Sequence, residues 1–326
     1  MAFHPSLRLA ATCALPLSLA ACGSSSSDDD DNPVVVPEGP HHGYVISKVA
    51  VPSTDAESRQ FGLDVGSPKS AKLDGNVDNA LGDLLIGVRA IINVQPSITS
   101  AIDRGAIDLL VDLQATDFTS AAAVGLAIKF GTAPNPPACI DANDSTCRHH
   151  LEGTAAFQIT ADSPTDSLVT GKIADGSFSG GPGNLTLQLT FGGTTPSTLH
   201  LLRARARASG ISDTGISSLT FAGVVTDTEL KTQVGPAVQA QIVAYLSAQC
   251  TGEAVPPVCG CTGLAASVIP MIDLNQDCTI SVDEVFSNPF VANVLKLDSC
   301  SKDTCDAPDG YAIGVRAEAV KATFPM

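Results

Sequence analysis

From Tyr44 to about Gly223 the chain alternates apolar and polar residues at every second position, a period that confines most of this stretch to β-sheet with one buried face. In NLTLQLTF, Leu185, Leu187, Leu189 and Phe191 fall on one side, with Thr186, Gln188 and Thr190 on the other. GTAAFQIT turns Ala155, Phe157 and Ile159 inward, AIDLLVDLQ turns Ile107, Leu109, Val111 and Leu113 inward, and SSLTFAG does so with Leu219 and Phe221. Clusters such as SGGPGN and GGTTPS separate the runs, so antiparallel strands folded into a sandwich or an open barrel are expected. HLLRARARAS places Arg203, Arg205 and Arg207 opposite Leu202, Ala204 and Ala206, which reads as a solvated face paired with carboxylates.

Helical spacing interrupts the sheet twice. In VDNALGDLLIGVRAII, Leu81, Leu84, Leu85, Val88 and Ile92 share one face, and a short helical turn follows in PSITSAIDRG. The second helix begins at Thr226 with TDTE, a capping-box signature, and carries Leu230, Val234, Val238, Ile242 and Leu246. Gly235 and Pro236 should split it, with Pro236 opening the second piece. YAIGVRAEAVKATF resumes the alternation and reads as a strand returning to the sheet. The fold expected is β-rich α+β, with a helical, disulfide-rich C-terminal region.

The first 21 residues contain Arg8 and a short apolar run, Leu9 to Ala21, too short to span a bilayer as a helix. They end at LAAC, which places Cys22 for lipidation after cleavage, and acyl chains there would tether the product to a membrane. The polar, acidic linker that follows includes His41 and His42, read as a solvated pair. The layout expected is a leader (1–21), a lipidated cysteine and linker (22–43), a β-rich body (44–225) with a helical segment near 78–104, a helical disulfide-rich region (226–308) and a returning strand (309–326).

Beyond the leader and anchor, the cysteines form an even set in an exported chain: Cys139, Cys147, Cys250, Cys259, Cys261, Cys278, Cys300 and Cys305. With no histidines at zinc spacing, they read as disulfides. Cys139 and Cys147 bracket one loop and should pair with each other; the other six allow several connectivities. The chain carries 34 acidic against 18 basic residues, a net charge of −16, which argues against nucleic acid or anionic headgroups as partners and favours cations.

One segment offers a cation site. In DLNQDCTISVDE the oxygens of Asp273, Asn275 and Asp277, the carbonyl of Thr279, Ser281 and finally Glu284 stand at positions 1, 3, 5, 7, 9 and 12, matching the ligand spacing of a hard, oxygen-seeking ion. The stretch resembles the EF-hand calcium loop, and Ca2+ is the cofactor this implies. Cys278 departs from that pattern, because position 6 ordinarily requires positive φ and hence glycine; a disulfide from Cys278 would hold the turn. Pro270 and Pro289 restrict the flanking helices to short lengths.

A weaker echo, LDGNVDNALGD, places Asp74, Asn76 and Asp78 at the same spacing, with Asn79 at the sixth position and Asp83 nearby. It reads either as a second metal loop or as an Asx turn capping the following helix. No catalytic motif is present: there is no GxSxG, HExxH, P-loop or GxGxxG, and His149, His150 and His200 are the histidines of the body.

Cys22, Asp74 to Gly82 and Asp273 to Glu284 together resemble a group of bacterial envelope lipoproteins with a lipidated cysteine, a D-x-N-x-D-N-x-L-G segment, a β-rich body and one EF-hand-like loop near the end. The resemblance covers about a tenth of the chain and implies location and calcium: a lipid-anchored protein of the cell envelope, in the outer membrane, with a membrane as partner through its anchor and no nucleic acid. The function expected is non-catalytic calcium binding with a structural ion. The alternatives are a carrier or binding module for an apolar or envelope ligand, and a hydrolase using carboxylates.

Overall fold

The alternating runs become nine strands: β1 (His41–Ala50), β2 (Leu109–Gln114), β3 (Ala121–Asn135), β4 (Ala156–Ile159), β5 (Leu168–Ala174), β6 (Ser177–Leu189), β7 (Ser197–Ser212), β8 (Gly215–Thr226) and β9 (Gly310–Lys321). The computed structural model describes residues 35–326 apart from 68, 71, 90–93 and 192–194. The expected leader, Cys22, the start of the linker and Ile92 lie outside the described residues. His41 and His42 open β1 instead of ending a linker, and His41 Nδ1 lies 2.8 Å from Asp112 Oδ1.

Every strand pairing is antiparallel, in the order β2-β1-β9-β8-β7-β6-β5-β3, with β4 added on β3. β2 also pairs with β3, from Leu109↔Phe130 to Gln114↔Gly125. That contact joins the two ends of the sheet, so the expected sandwich or open barrel is in fact a closed barrel of eight strands. Closure removes the two long unpaired edges that an open sheet of this size would expose.

Eight strands make a barrel that side chains alone can fill. Leu109, Val111, Val124, Leu126, Ile128, Leu185, Leu187 and Phe221 are at most 2% exposed and belong to one core. Each such residue contributes roughly 1.5–3 kcal/mol relative to exposure. On β8 and β9 the two faces separate cleanly. Leu219, Phe221, Val225, Ile313 and Val315 join the main core, while Ala222, Val224 and Ala312 pack with Leu63 and Val65 in a second cluster.

The arginine strand differs from expectation. A register shift between Leu202 and Arg205, with Arg203 at φ +51°, inserts a bulge in β7 and reverses the pleat. Leu199 and Leu201 enter the core before it; Ala204, Ala206 and Ala208 enter after it. Arg203 is therefore buried, not solvated, and its guanidinium donates to the carbonyls of Cys300 (2.6 Å), Lys302 (3.4 Å) and Val65.

The helices follow the apolar stripes. α1 (Asp55–Phe61), α2 (Ala80–Val88) and α3 (Gln95–Asp103) lie against β8, β9 and β1, with Leu81, Leu84 and Leu85 buried. α4 (Asp227–Glu229), a π-helical turn (Leu230–Val234) and α5 (Gly235–Ser247) form the second helical stretch, with Thr226 as its N-cap and Pro236 in the first turn of α5. The irregular turn falls where glycine and proline were expected to break the helix. α6 (Ala265–Ile272), α7 (Val282–Ser287) and α8 (Pro289–Val294) complete the helical region. Among the described residues, no helix is long and apolar enough to cross a membrane.

Candidate metal centre

All eight body cysteines are paired: Cys139–Cys147, Cys250–Cys261, Cys259–Cys278 and Cys300–Cys305. One of these bridges, Cys259–Cys278, ends in the loop between α6 and α7. Asp273 ends α6, and its carboxylate is only 2% exposed as a residue. Asp273 Oδ1 accepts from the Asp277 N–H (3.1 Å) and Oδ2 from the Cys278 N–H (2.8 Å). Asn275 Oδ1 also accepts from Asp277 (3.0 Å), and Asp277 Oδ1 accepts from the Thr279 N–H (2.7 Å) and its hydroxyl.

The loop closes on Glu284. Ser281 caps α7 and forms a reciprocal capping box with Glu284, whose Oε2 accepts from the Ser281 N–H (2.9 Å) and hydroxyl (2.8 Å). Glu284 Oε1 reaches across to the Asn275 N–H at 3.2 Å, which brings positions 12 and 3 together. Ile280 is buried in the main core, and Gln239 on α5 donates to its carbonyl at 2.7 Å. Asn288 Nδ2 donates to the Met271 carbonyl (2.8 Å), fixing the far end of α7 to α6.

Charge at this loop is one-sided. Among the described residues no lysine, arginine or histidine forms an ion pair with Asp273, Asp277 or Glu284. Hydrogen bonds from Ser281 lower the Glu284 pKa, and those from Thr279 lower that of Asp277, so both stay ionised near neutrality. Asp273 and Glu284 are buried and Asp277 is exposed, and backbone N–H and hydroxyl donors meet their oxygens where no cationic side chain does. Cys259, Asp273 and Cys278 also cluster, but the two sulfurs are bonded to each other and offer no thiolate.

Cys278 adopts φ +66° and Gln276 φ +58°. A side chain at such an angle costs about 1–2 kcal/mol. The turn that glycine ordinarily supplies is thus made by a cysteine held from Cys259.

No protein-family model, curated protein or solved structure matches this chain.

The second loop is different. Asp74 Oδ1 accepts from the Asn76 N–H (2.9 Å), and Asp64 Oδ2 from the Gly75 N–H (2.7 Å). Asn79 has φ −159° and does not make a left-handed turn; its Oδ1 accepts from Gly82 and Gly314 (both 3.0 Å), and its Nδ2 donates to Ser58 (3.1 Å) and Gly314 (3.2 Å) carbonyls. Asp83 accepts from the Ser58 hydroxyl instead of turning to the loop. The helix-capping alternative thus describes Asn79, the N-cap of α2. Asp78 alone keeps an unusual environment: Oδ2 is buried without a hydrogen bond, and burial, then Asp298, Asp74 and Asp64, push its pKa up to about 7.

Sequence reading missed two features. His150 is fully buried with Nε2 3.3 Å from Asp108 Oδ1, a pair that nothing in the loop sequence around Cys147 marks. Gly82 and Gly314 are required by close approach, since a β-carbon would meet the Asn79 side chain at 2.7 Å or the Phe61 carbonyl at 2.4 Å.

Proposed function

We propose that this chain is a calcium-binding protein of the bacterial cell envelope, tethered through Cys22, in which the ion is structural and braces the disulfide-rich helices against the barrel. The observation that carries the reading is the convergence of Asp273, Asn275, Asp277 and Glu284 on one loop, with no cationic side chain among the described residues paired to Asp273, Asp277 or Glu284. The short flanking helices, eight and six residues long, and three carboxylates suit an affinity of roughly 10⁻⁴ to 10⁻³ M, in the extracellular range.

Calcium at about 10 mM should then stabilise the full chain, purified in mild detergent, by roughly 1.5–3 kcal/mol, a rise of about 3–8 °C in melting temperature. Glu284→Gln should abolish the rise. An unchanged melting temperature in the wild-type chain would sink the reading.

The carrier reading draws less support, because the larger clefts among the described residues, about 290–450 Å³, are open and carry charged or polar side chains such as Asp55, Arg59 and Asp83 or Gln95, Asp103 and Arg104. Among the described residues, the wholly apolar crevice between Leu81, Leu84, Phe191, Leu230, Ile242 and Phe286 has a volume of about 30 Å³, against the roughly 300–1,000 Å³ of ordinary ligand pockets.

A further inference from the structure

Position 6 of the loop does two things at once. Its N–H donates to Asp273 Oδ2 at 2.8 Å, so it orients the first ligand, and its left-handed backbone aims the next residue, Thr279, whose carbonyl is the seventh-position ligand. Glycine reaches this geometry freely, whereas an L-residue favours negative φ. Here the geometry is held from outside the loop. Cys278 is bonded to Cys259, Cys259 is two residues from Cys261, and Cys261 is bonded to Cys250 just beyond α5. The bridge also touches the first ligand, with Cys259 Sγ 3.9 Å from Asp273 Oδ2.

We infer that the Cys259–Cys278 disulfide takes the place of the loop glycine, so that the calcium affinity of this site depends on the bridge and falls when a thiol reductant opens it. The inference rests on the calcium reading above. Both cysteines are only partly buried, which leaves the bond open to attack. A dithiol supplies the chemistry: one thiolate attacks a bridge sulfur and expels the other as thiolate, and the second thiol then displaces the mixed disulfide. Two electrons pass to the protein sulfurs, which take up two protons, and the reductant leaves as its own disulfide. Cys278 can then relax to negative φ, withdrawing its N–H from Asp273. By linkage, calcium favours the closed bridge by the factor that the bridge favours calcium.

The test compares three full-length chains by calorimetric calcium titration: wild type, Cys259→Ala with Cys278→Ala, and Cys259→Ala with Cys278→Gly. Neither double variant has the bridge, and they differ only at position 6. The alanine form should bind five- to tenfold more weakly than wild type, and the glycine form should return to within about threefold of it. Equal binding by the alanine form and wild type would overturn the inference, as would a glycine form no better than the alanine form. No binding by wild type overturns the calcium reading itself and the inference with it. If the variants do not fold, the wild-type chain is equilibrated in a dithiol/disulfide buffer and the Cys259–Cys278 bridge is quantified by mass spectrometry. Calcium should shift the equilibrium towards the bridge, and an unchanged ratio would overturn the inference.

Discussion

Asp78 and Asn79 stand side by side and show two ways in which a polar residue enters a core. Asn79 is 6% exposed and fully satisfied by bonds to Ser58, Gly82 and Gly314. Asn79→Ala leaves those buried backbone groups without partners and should cost on the order of 3 kcal/mol in a denaturant titration; a loss under 1 kcal/mol would contradict this account of the residue. Asp78 is held instead among carboxylates. Its pKa is about 7 in the folded chain against an ordinary 3.8, so between those values the folded state keeps a proton that the unfolded chain has released. Stability should therefore fall as pH rises from about 4 to 7 and level off above. Asp78→Asn should flatten that slope and stabilise the protein at pH 8 by roughly 1–2 kcal/mol, less than the full shift implies because the residue is partly exposed. Equal denaturation midpoints for the two proteins at pH 8 would refute it. The sequence could not separate these neighbours. Asx residues serve metal loops and helix caps alike, and only the approach of β9 at Gly314 decides that Asn79 is a cap.

Among the elements, β7 shows where a periodic reading reaches its limit. The pattern of Leu199, Leu201, Ala204, Ala206 and Ala208 is legible as strand, but the bulge lies at an arginine instead of a glycine, and a single inserted residue moves Arg203 from the solvent side to the protein side. The N-cap at Thr226, the proline-split second helix and the oxygen spacing of the α6–α7 loop were readable because their signals are local. Arg203 is not local: it joins β7 to the Val65 segment and to the Cys300–Cys305 loop. Arg203→Met keeps much of the volume and removes the donors, and should cost about 2–3 kcal/mol. Hydrogen exchange should quicken at residues 63–66 and 300–305, with β2 and β3 unchanged; uniform quickening throughout the barrel would show that the arginine does something else.

For the whole molecule, alternation identified the strands but not their closure, because the pairs that close the barrel join residues far apart in sequence. β9 lies between β1 and β8, with Tyr44 opposite Lys321 and Phe221 opposite Val315. Deleting residues from Gly310 onward should leave β1 and β8 with unpaired edges, and the product should be recovered as aggregate; a soluble, cooperatively unfolding product would contradict this. Such long-range pairing also makes folding slow. The position of β9 has a consequence for biogenesis. Because the first strand of the barrel must wait for the last, a chain still being synthesised cannot finish its sheet, whatever length has already appeared. Closure then acts as a check on completeness: interrupted products keep their edges exposed to chaperones and proteases, and products that include β9 withdraw them in a single late step.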